Sequence, residues 1–121
     1  MSSHSVLIVD DDAAMCQMLV EALRDSELTA SYALDVDGAL RLLEDEPFRV
    51  IVCDIQLSPR DGFELLRVVR LQESAPPVIL MTAFATDDTA RRAREAGAFG
   101  FLKKPFLPAQ FSALVERAIS P

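Results

Sequence analysis

The chain has 121 residues, 50% hydrophobic and 26% charged, with a formal net charge of −7. That is one domain's worth of chain, long enough to bury a core without staples, and the acidic balance disfavours nonspecific attraction to nucleic acid or anionic lipid. No apolar stretch approaches the ~20 residues of a membrane helix, and the polar leader Met1–Ser5 has no secretory pattern. A single cytoplasmic domain is therefore expected over residues 1–121, with an ordered core over 5–119 and no effector domain.

The first apolar run, Val6 to Val9, stops at Asp10 and Asp11. Met15, Met18, Leu19, Ala22 and Leu23 then repeat at the spacing of one buried helical face, with Asp12 as N-cap. Leu28 to Tyr32 alternates apolar and polar residues, which predicts a strand with one wetter face at a sheet edge. Asp35 caps a second helix whose inward residues are Val36, Ala39, Leu40 and Leu43, and Pro47 follows it. Val50 to Cys53 is a third apolar run, stopping at Asp54. Ser58, Pro59, Asp61 and Gly62 supply turn chemistry before a helix carrying Phe63, Leu65, Leu66 and Val69. Val78 to Met81 stops at Thr82. Thr86 caps a fourth helix through Ala96, with Ala90, Ala93 and Ala96 inward, and Gly97 suits a left-handed closing residue. A short strand near Gly100–Leu102 precedes Lys104. Pro108 opens a last helix with Phe111, Leu114, Val115, Ala118 and Ile119 on one face. No linker, repeat or low-complexity segment remains.

All-apolar runs alternating with helices predict a buried parallel sheet in an α/β doubly wound (βα)5 fold. With the second strand at an edge, the strand order is the flavodoxin-like 2-1-3-4-5. Ligand groups in such sheets sit at the carboxyl ends of the strands, so Asp10, Asp11, Asp54, Thr82 and Lys104 should converge. Crowded carboxylates repel, and a divalent cation relieves the repulsion. Mg2+, or Mn2+ in its place, fits an all-oxygen site: Asp11 and Asp54 are candidate direct ligands and Asp10 acts through water. Lys104 and Thr82 suit a phosphoryl group arriving at Asp54, which makes Asp54 the candidate nucleophile. Cys16 and Cys53 sit among apolar neighbours and read as core. Cys53 should point away from the Asp54 side chain, since adjacent strand residues face opposite ways.

These residues resemble the receiver domain of two-component response regulators along nearly the whole chain. The resemblance rests on Val9-Asp10-Asp11-Asp12, the run Cys53 to Gly62, Met81-Thr82-Ala83 and Lys103-Lys104-Pro105-Phe106, in order and spacing. It implies that Asp10 and Asp11 are the acidic pair, Asp54 the phosphoacceptor, and the Gln56 backbone carbonyl a metal ligand. It further implies Thr82 and Lys104 as a phosphate-sensing pair, Phe101 as a switch aromatic, and a cis Lys104-Pro105 bond. One departure stands out: the family often has proline four residues after the phosphoacceptor, where this chain has Ser58, with Pro59 next. The implied donor is the phosphohistidine of a sensor kinase or phosphotransfer protein. His4, the sole histidine, lies in the polar leader and reads as a terminal residue, not a relay group.

Two other readings compete. Asp10-Asp11-Asp12 contains the Asp-x-Asp of haloacid-dehalogenase-like phosphatases, but Ala14 stands where that motif wants Thr or Val, and the chain leaves no room for a cap domain. A pseudo-receiver that binds partners without phosphorylation is the other, set against a complete set of reactive groups. The fourth helix should be loosely seated by three methyl groups, flanked by Arg91, Arg92 and Arg94 as a solvated face or a partner patch. The fourth helix, fifth strand and fifth helix are the expected output face, with homodimerisation through it as one form.

Overall fold

In the computed structural model, which describes residues 5–120, strands and helices alternate throughout. They are β1 (Ser5–Val9), α1 (Ala13–Arg24), β2 (Thr29–Ala33), α2 (Val36–Asp45), β3 (Val50–Asp54), α3 (Gly62–Arg70), β4 (Val78–Thr82), α4 (Asp87–Glu95), β5 (Gly100–Lys103) and α5 (Pro108–Ile119). The five strands form one parallel sheet in the order β2-β1-β3-β4-β5, as the edge-like alternation of β2 predicts. Every residue of β3 and β4 is buried, whereas β2 is largely half-exposed.

Strand alternation divides the core into two layers. Leu7, Val9, Ile51, Cys53, Val78 and Leu80 pack on one face of the sheet with Val36 and Ala39 of α2, Leu65, Leu66 and Val69 of α3, and Ala93 of α4. Their neighbours Val6, Ile8, Val50, Val52, Ile79, Met81 and Leu102 pack on the other face with Cys16, Leu19 and Leu23 of α1 and Phe111 and Val115 of α5. A strand buried on both sides cannot slip by one residue without exchanging its two layers, which fixes the pairings Val9–Cys53, Asp54–Met81 and Thr82–Lys103.

The helix starts follow the capping chemistry. Asp12 accepts from Met15 N–H at 3.1 Å and Asp35 from Gly38 N–H at 2.7 Å. Asp61 and Thr86 each form a reciprocal box with the residue three further on. Gly97 closes α4 at φ +96°, a left-handed conformation that strains an L side chain.

Two packing expectations need correction. Met18 is 48% exposed, and Cys16 takes the inward place in α1, because the buried stripe runs through 16, 19 and 23. Ala96 is also exposed, since α4 ends at Glu95 and the chain turns there towards Gly97. Ala90 is half-buried, leaving Ala93 as the one buried residue of α4. Each large aliphatic side chain fully buried from α3 contributes about 1.5–3 kcal/mol, against about 0.8 kcal/mol for one methyl-sized group. α4 is thus held far less firmly than α3. Two arginines supplement its seat: Arg92 lies 4.4 Å from the centroid of the Phe63 ring, and Arg70 donates to the Gly97 carbonyl at 3.4 Å.

Candidate functional site

The alternation that builds the core also sorts the strand-end polar residues. Asp10, Asp54 and Lys104 continue the series Ile8, Val52 and Leu102, whereas Thr82 continues Val78 and Leu80 on the opposite series. Backbone bonds carry the ladder past the strands, from Ile55 N–H to the Met81 carbonyl at 2.8 Å and from Lys104 N–H to the Thr82 carbonyl at 2.9 Å. Lys104 Nζ is thereby delivered between two carboxylates, 2.7 Å from Asp10 Oδ2 and 2.8 Å from Asp54 Oδ2. Asp10 Oδ1 accepts from Asp12 N–H, and Asp54 Oδ1 from Gln56 N–H, each at 3.0 Å.

Asp11 completes the acidic group from the exposed side. One carboxylate oxygen from each of Asp10, Asp11 and Asp54 lies within 4.8 Å of the others. The donor set is all oxygen, with two members buried and one open to water. That fits a hard divalent ion such as Mg2+, which takes one or two carboxylates and retains waters. Charge is partly balanced from within: burial alone lowers the Lys104 pKa, but the hydrogen bonds and charges of Asp10 and Asp54 outweigh it and hold it above its usual value. Burial raises the carboxyl of Asp54, opposed by Lys104 and the Gln56 N–H and reinforced by the charge of Asp10.

Thr82 is wholly buried. Its hydroxyl donates to the side-chain carbonyl of Gln56 and accepts from Phe84 N–H at 3.0 Å. It is joined to Asp54 through Gln56, whose backbone N–H binds the carboxylate and whose side chain binds the hydroxyl. Phe101 is half-buried and packs on the layer of α2, α3 and α4. The Lys104-Pro105 and Ser58-Pro59 bonds are both cis. His4 lies outside the described residues.

The cysteines lie beside the polar cluster as packed thiols, with Cys16 Sγ donating to the Asp10 backbone carbonyl at 3.4 Å. Cys53 packs in the layer of α2 and α3, on the side of β3 away from the Asp54 side chain, and its thiol is raised well above its usual value, chiefly by burial and then by Asp54. Burial, then the charges of Asp10 and Asp12, pushes Cys16 up to about 12. Both remain protonated thiols near neutrality.

Two features escaped the sequence reading. The resemblance places Gln56 as a backbone-carbonyl metal ligand and at a position that tunes hydrolysis in similar domains, but the contact of its side chain with the Thr82 hydroxyl was not foreseen. Gly62 read as turn chemistry, yet it is buried where α3 starts, and a Cβ there would lie 2.5 Å from the Asp54 carbonyl oxygen and 2.9 Å from Ile55 Cα. The absence of a side chain lets α3 seat directly against the backbone of the third-strand aspartate. The Asp-Gly pair at the helix start was the visible signal, but it fits an ordinary turn equally well.

A doubly wound sheet with an acidic triad and a lysine at its switch point defines a flavodoxin-like domain with an acidic strand-end pocket, and the comparisons specify the family. The family model described as response regulator receiver domain matches residues 6–116, and the chain belongs to that family. It is 34% identical over 120 residues to the DNA-binding transcriptional regulator NtrC of Proteus hauseri, covering 99% of this chain and 25% of that protein. It is 30% identical over 115 residues to the transcriptional regulatory protein ZraR of Salmonella typhimurium, covering 95% of this chain and 26% of that protein. The chain thus spans about a quarter of the length of these relatives. Among solved structures, chemotaxis protein CheY4 of Vibrio cholerae superposes with a TM-score of 0.90 at 28% identity, covering 97% of this chain and 99% of that one. Receiver domains of this family bind Mg2+ at an acidic pocket, are generally phosphorylated by histidine kinases, and are regulatory domains of two-component systems. No helix among the described residues is long and apolar enough to cross a membrane.

Proposed function

We propose that this receiver takes one phosphoryl group from a phosphohistidine onto Asp54 and thereby changes the face formed by α4, β5 and α5. The observation that carries the reading is Lys104 Nζ bridging Asp10 and Asp54 while Asp11 presents a third carboxylate oxygen to the same point. An Asp54 carboxylate oxygen attacks phosphorus; the P–N bond of the donor breaks, its electron pair returns to the imidazole nitrogen, and a P–O bond forms an acyl phosphate. Lys104 then has a phosphoryl oxygen to neutralise, and the Thr82 hydroxyl has one to bind. Asp11, Asp54 and the Gln56 backbone carbonyl would hold Mg2+, with Asp10 acting through water; the bound ion supplies neutralisation of the phosphoryl oxygens. No separate base is needed, because the nucleophile is already a carboxylate.

Thr82 lies at the end of β4, four residues before the cap of α4, so its movement reaches a helix held by one buried methyl and two arginine contacts. A small differential contact suffices to shift the population of such an element. Phe101 moves with Thr82 in this reading. The partners are a sensor histidine kinase or a histidine phosphotransfer protein, in the cytoplasm, with homodimerisation through the α4, β5 and α5 face as one output. Similarity to NtrC and ZraR supports control of transcription through another part of a longer protein, without direct nucleic-acid contact by this acidic domain. The test is stoichiometry: with acetyl phosphate and Mg2+, the protein should retain at most one phosphoryl group per chain. Repeated release of phosphate from many unrelated phosphomonoesters would point instead to a phosphatase.

A further inference from the structure

We infer that Gln56 is a positioning residue that occupies the Thr82 hydroxyl proton before phosphorylation, so that Thr82 engages a phosphoryl group only when the Gln56 carboxamide lets go. The inference rests on the receiver reading above and concerns how that site is held at rest. A threonine hydroxyl has one proton to donate, and here it goes to Gln56 Oε1. Phe84 N–H occupies an acceptor position of the same oxygen at 3.0 Å, so Thr82 is satisfied while wholly buried. A phosphoryl oxygen on Asp54 therefore competes with an existing acceptor and does not meet an idle donor.

The competition has a direction. Gln56 is exposed, so its released carboxamide returns to water, and the bond given up is an ordinary neutral one. A phosphoryl oxygen is charged, and hydrogen bonds to ionised acceptors are roughly twice as strong as neutral ones. The phosphate wins, but against a resistance worth about two- to tenfold in the equilibrium. The same residue also donates its backbone N–H to Asp54 Oδ1 at 3.0 Å. Gln56 thus touches both the acceptor and the group that reports on it, and a change at one is transmitted to the other through a single residue.

The test replaces the acceptor and reads the resting protein. In Gln56→Leu, without any phosphodonor, amide exchange over residues 84–103 should move part of the way to the pattern of wild type loaded with beryllofluoride and Mg2+. Beryllofluoride should also saturate at a two- to tenfold lower concentration. Gln56→Asn, whose carboxamide is one carbon shorter, should shift both readouts in the same direction. The decisive comparison repeats the substitution in a Thr82→Ala background, where both effects should vanish if Gln56 acts through the hydroxyl. Unchanged exchange and saturation in Gln56→Leu, or equal changes with and without Thr82, would overturn the inference. Intact-mass measurement separates the two levels: wild type that gains no phosphoryl group defeats the receiver reading itself. A gain accompanied by no Gln56 effect defeats only the positioning role.

Discussion

Lys104 and Asp54 make opposite demands on the fold. Because the folded-state pKa of Lys104 is raised, its pairing stabilises the protein fully below the unfolded value of 10.5 and the contribution is lost as pH rises through the higher folded value. Replacing it with methionine leaves two buried carboxylates without their cation, which should cost on the order of 1–3 kcal/mol in Mg2+-free buffer at neutral pH. Denaturant melts of both proteins should show that difference shrinking above about pH 10.5. Asp54 has the reverse sign. Its carboxyl is raised above 3.8, mainly by burial, so the folded state is weakened as pH rises from the unfolded value through the folded one. Asp54→Asn should therefore be more stable than wild type at neutral pH, and the advantage should fade on acidification towards about pH 4. A wild type that is more stable than Asp54→Asn at neutral pH would contradict the burial argument. These residue identities were legible in the sequence because each follows an apolar run that could only be a buried strand. The Gln56 side chain was not, since its contact with Thr82 spans two strands and has no local signature.

At the scale of the elements, α3 and α4 contrast most. α3 is pinned to β3 at Gly62, so Gly62→Ala should cost about 1–3 kcal/mol by driving a Cβ into the Asp54 backbone carbonyl, read as a lowered midpoint in urea. α4 should open first. Native-state amide exchange should find the residues of Asp87–Glu95 less protected than those of Gly62–Arg70, and Arg92→Ala should widen the gap by about 0.5–1 kcal/mol through loss of the contact with Phe63. The weak seating of α4 was legible from its alanines, but which of them reach the core was not. Helical spacing gives a face, whereas the sheet decides how far along the helix that face stays covered. Met18 failed for the same reason, because two stripes on α1 share residues 19 and 23, and packing under α5 selected the one through Cys16.

The whole molecule is the element most completely foreshadowed. Five βα units, right-handed crossovers and one strand with a wet face left little choice of strand order, and the observed order is 2-1-3-4-5. What the topology adds is division of labour across the sheet. Asp10, Asp54 and Lys104 share the alternation of the layer under α1 and α5, while Thr82 shares that of the layer carrying α4. In the proposed cycle the chemistry proceeds on one series and the response leaves by the other, with Gln56 between them. The central claim is that Asp54 accepts a phosphoryl group with help from a divalent ion. It is tested most directly by intact-mass analysis after incubation with acetyl phosphate, with Mg2+ and with a chelator, on wild type and Asp54→Asn. A gain of one phosphoryl group is expected only in wild type with Mg2+; an equal gain in both proteins, or a gain undiminished by the chelator, would contradict phosphorylation at Asp54 with a divalent ion.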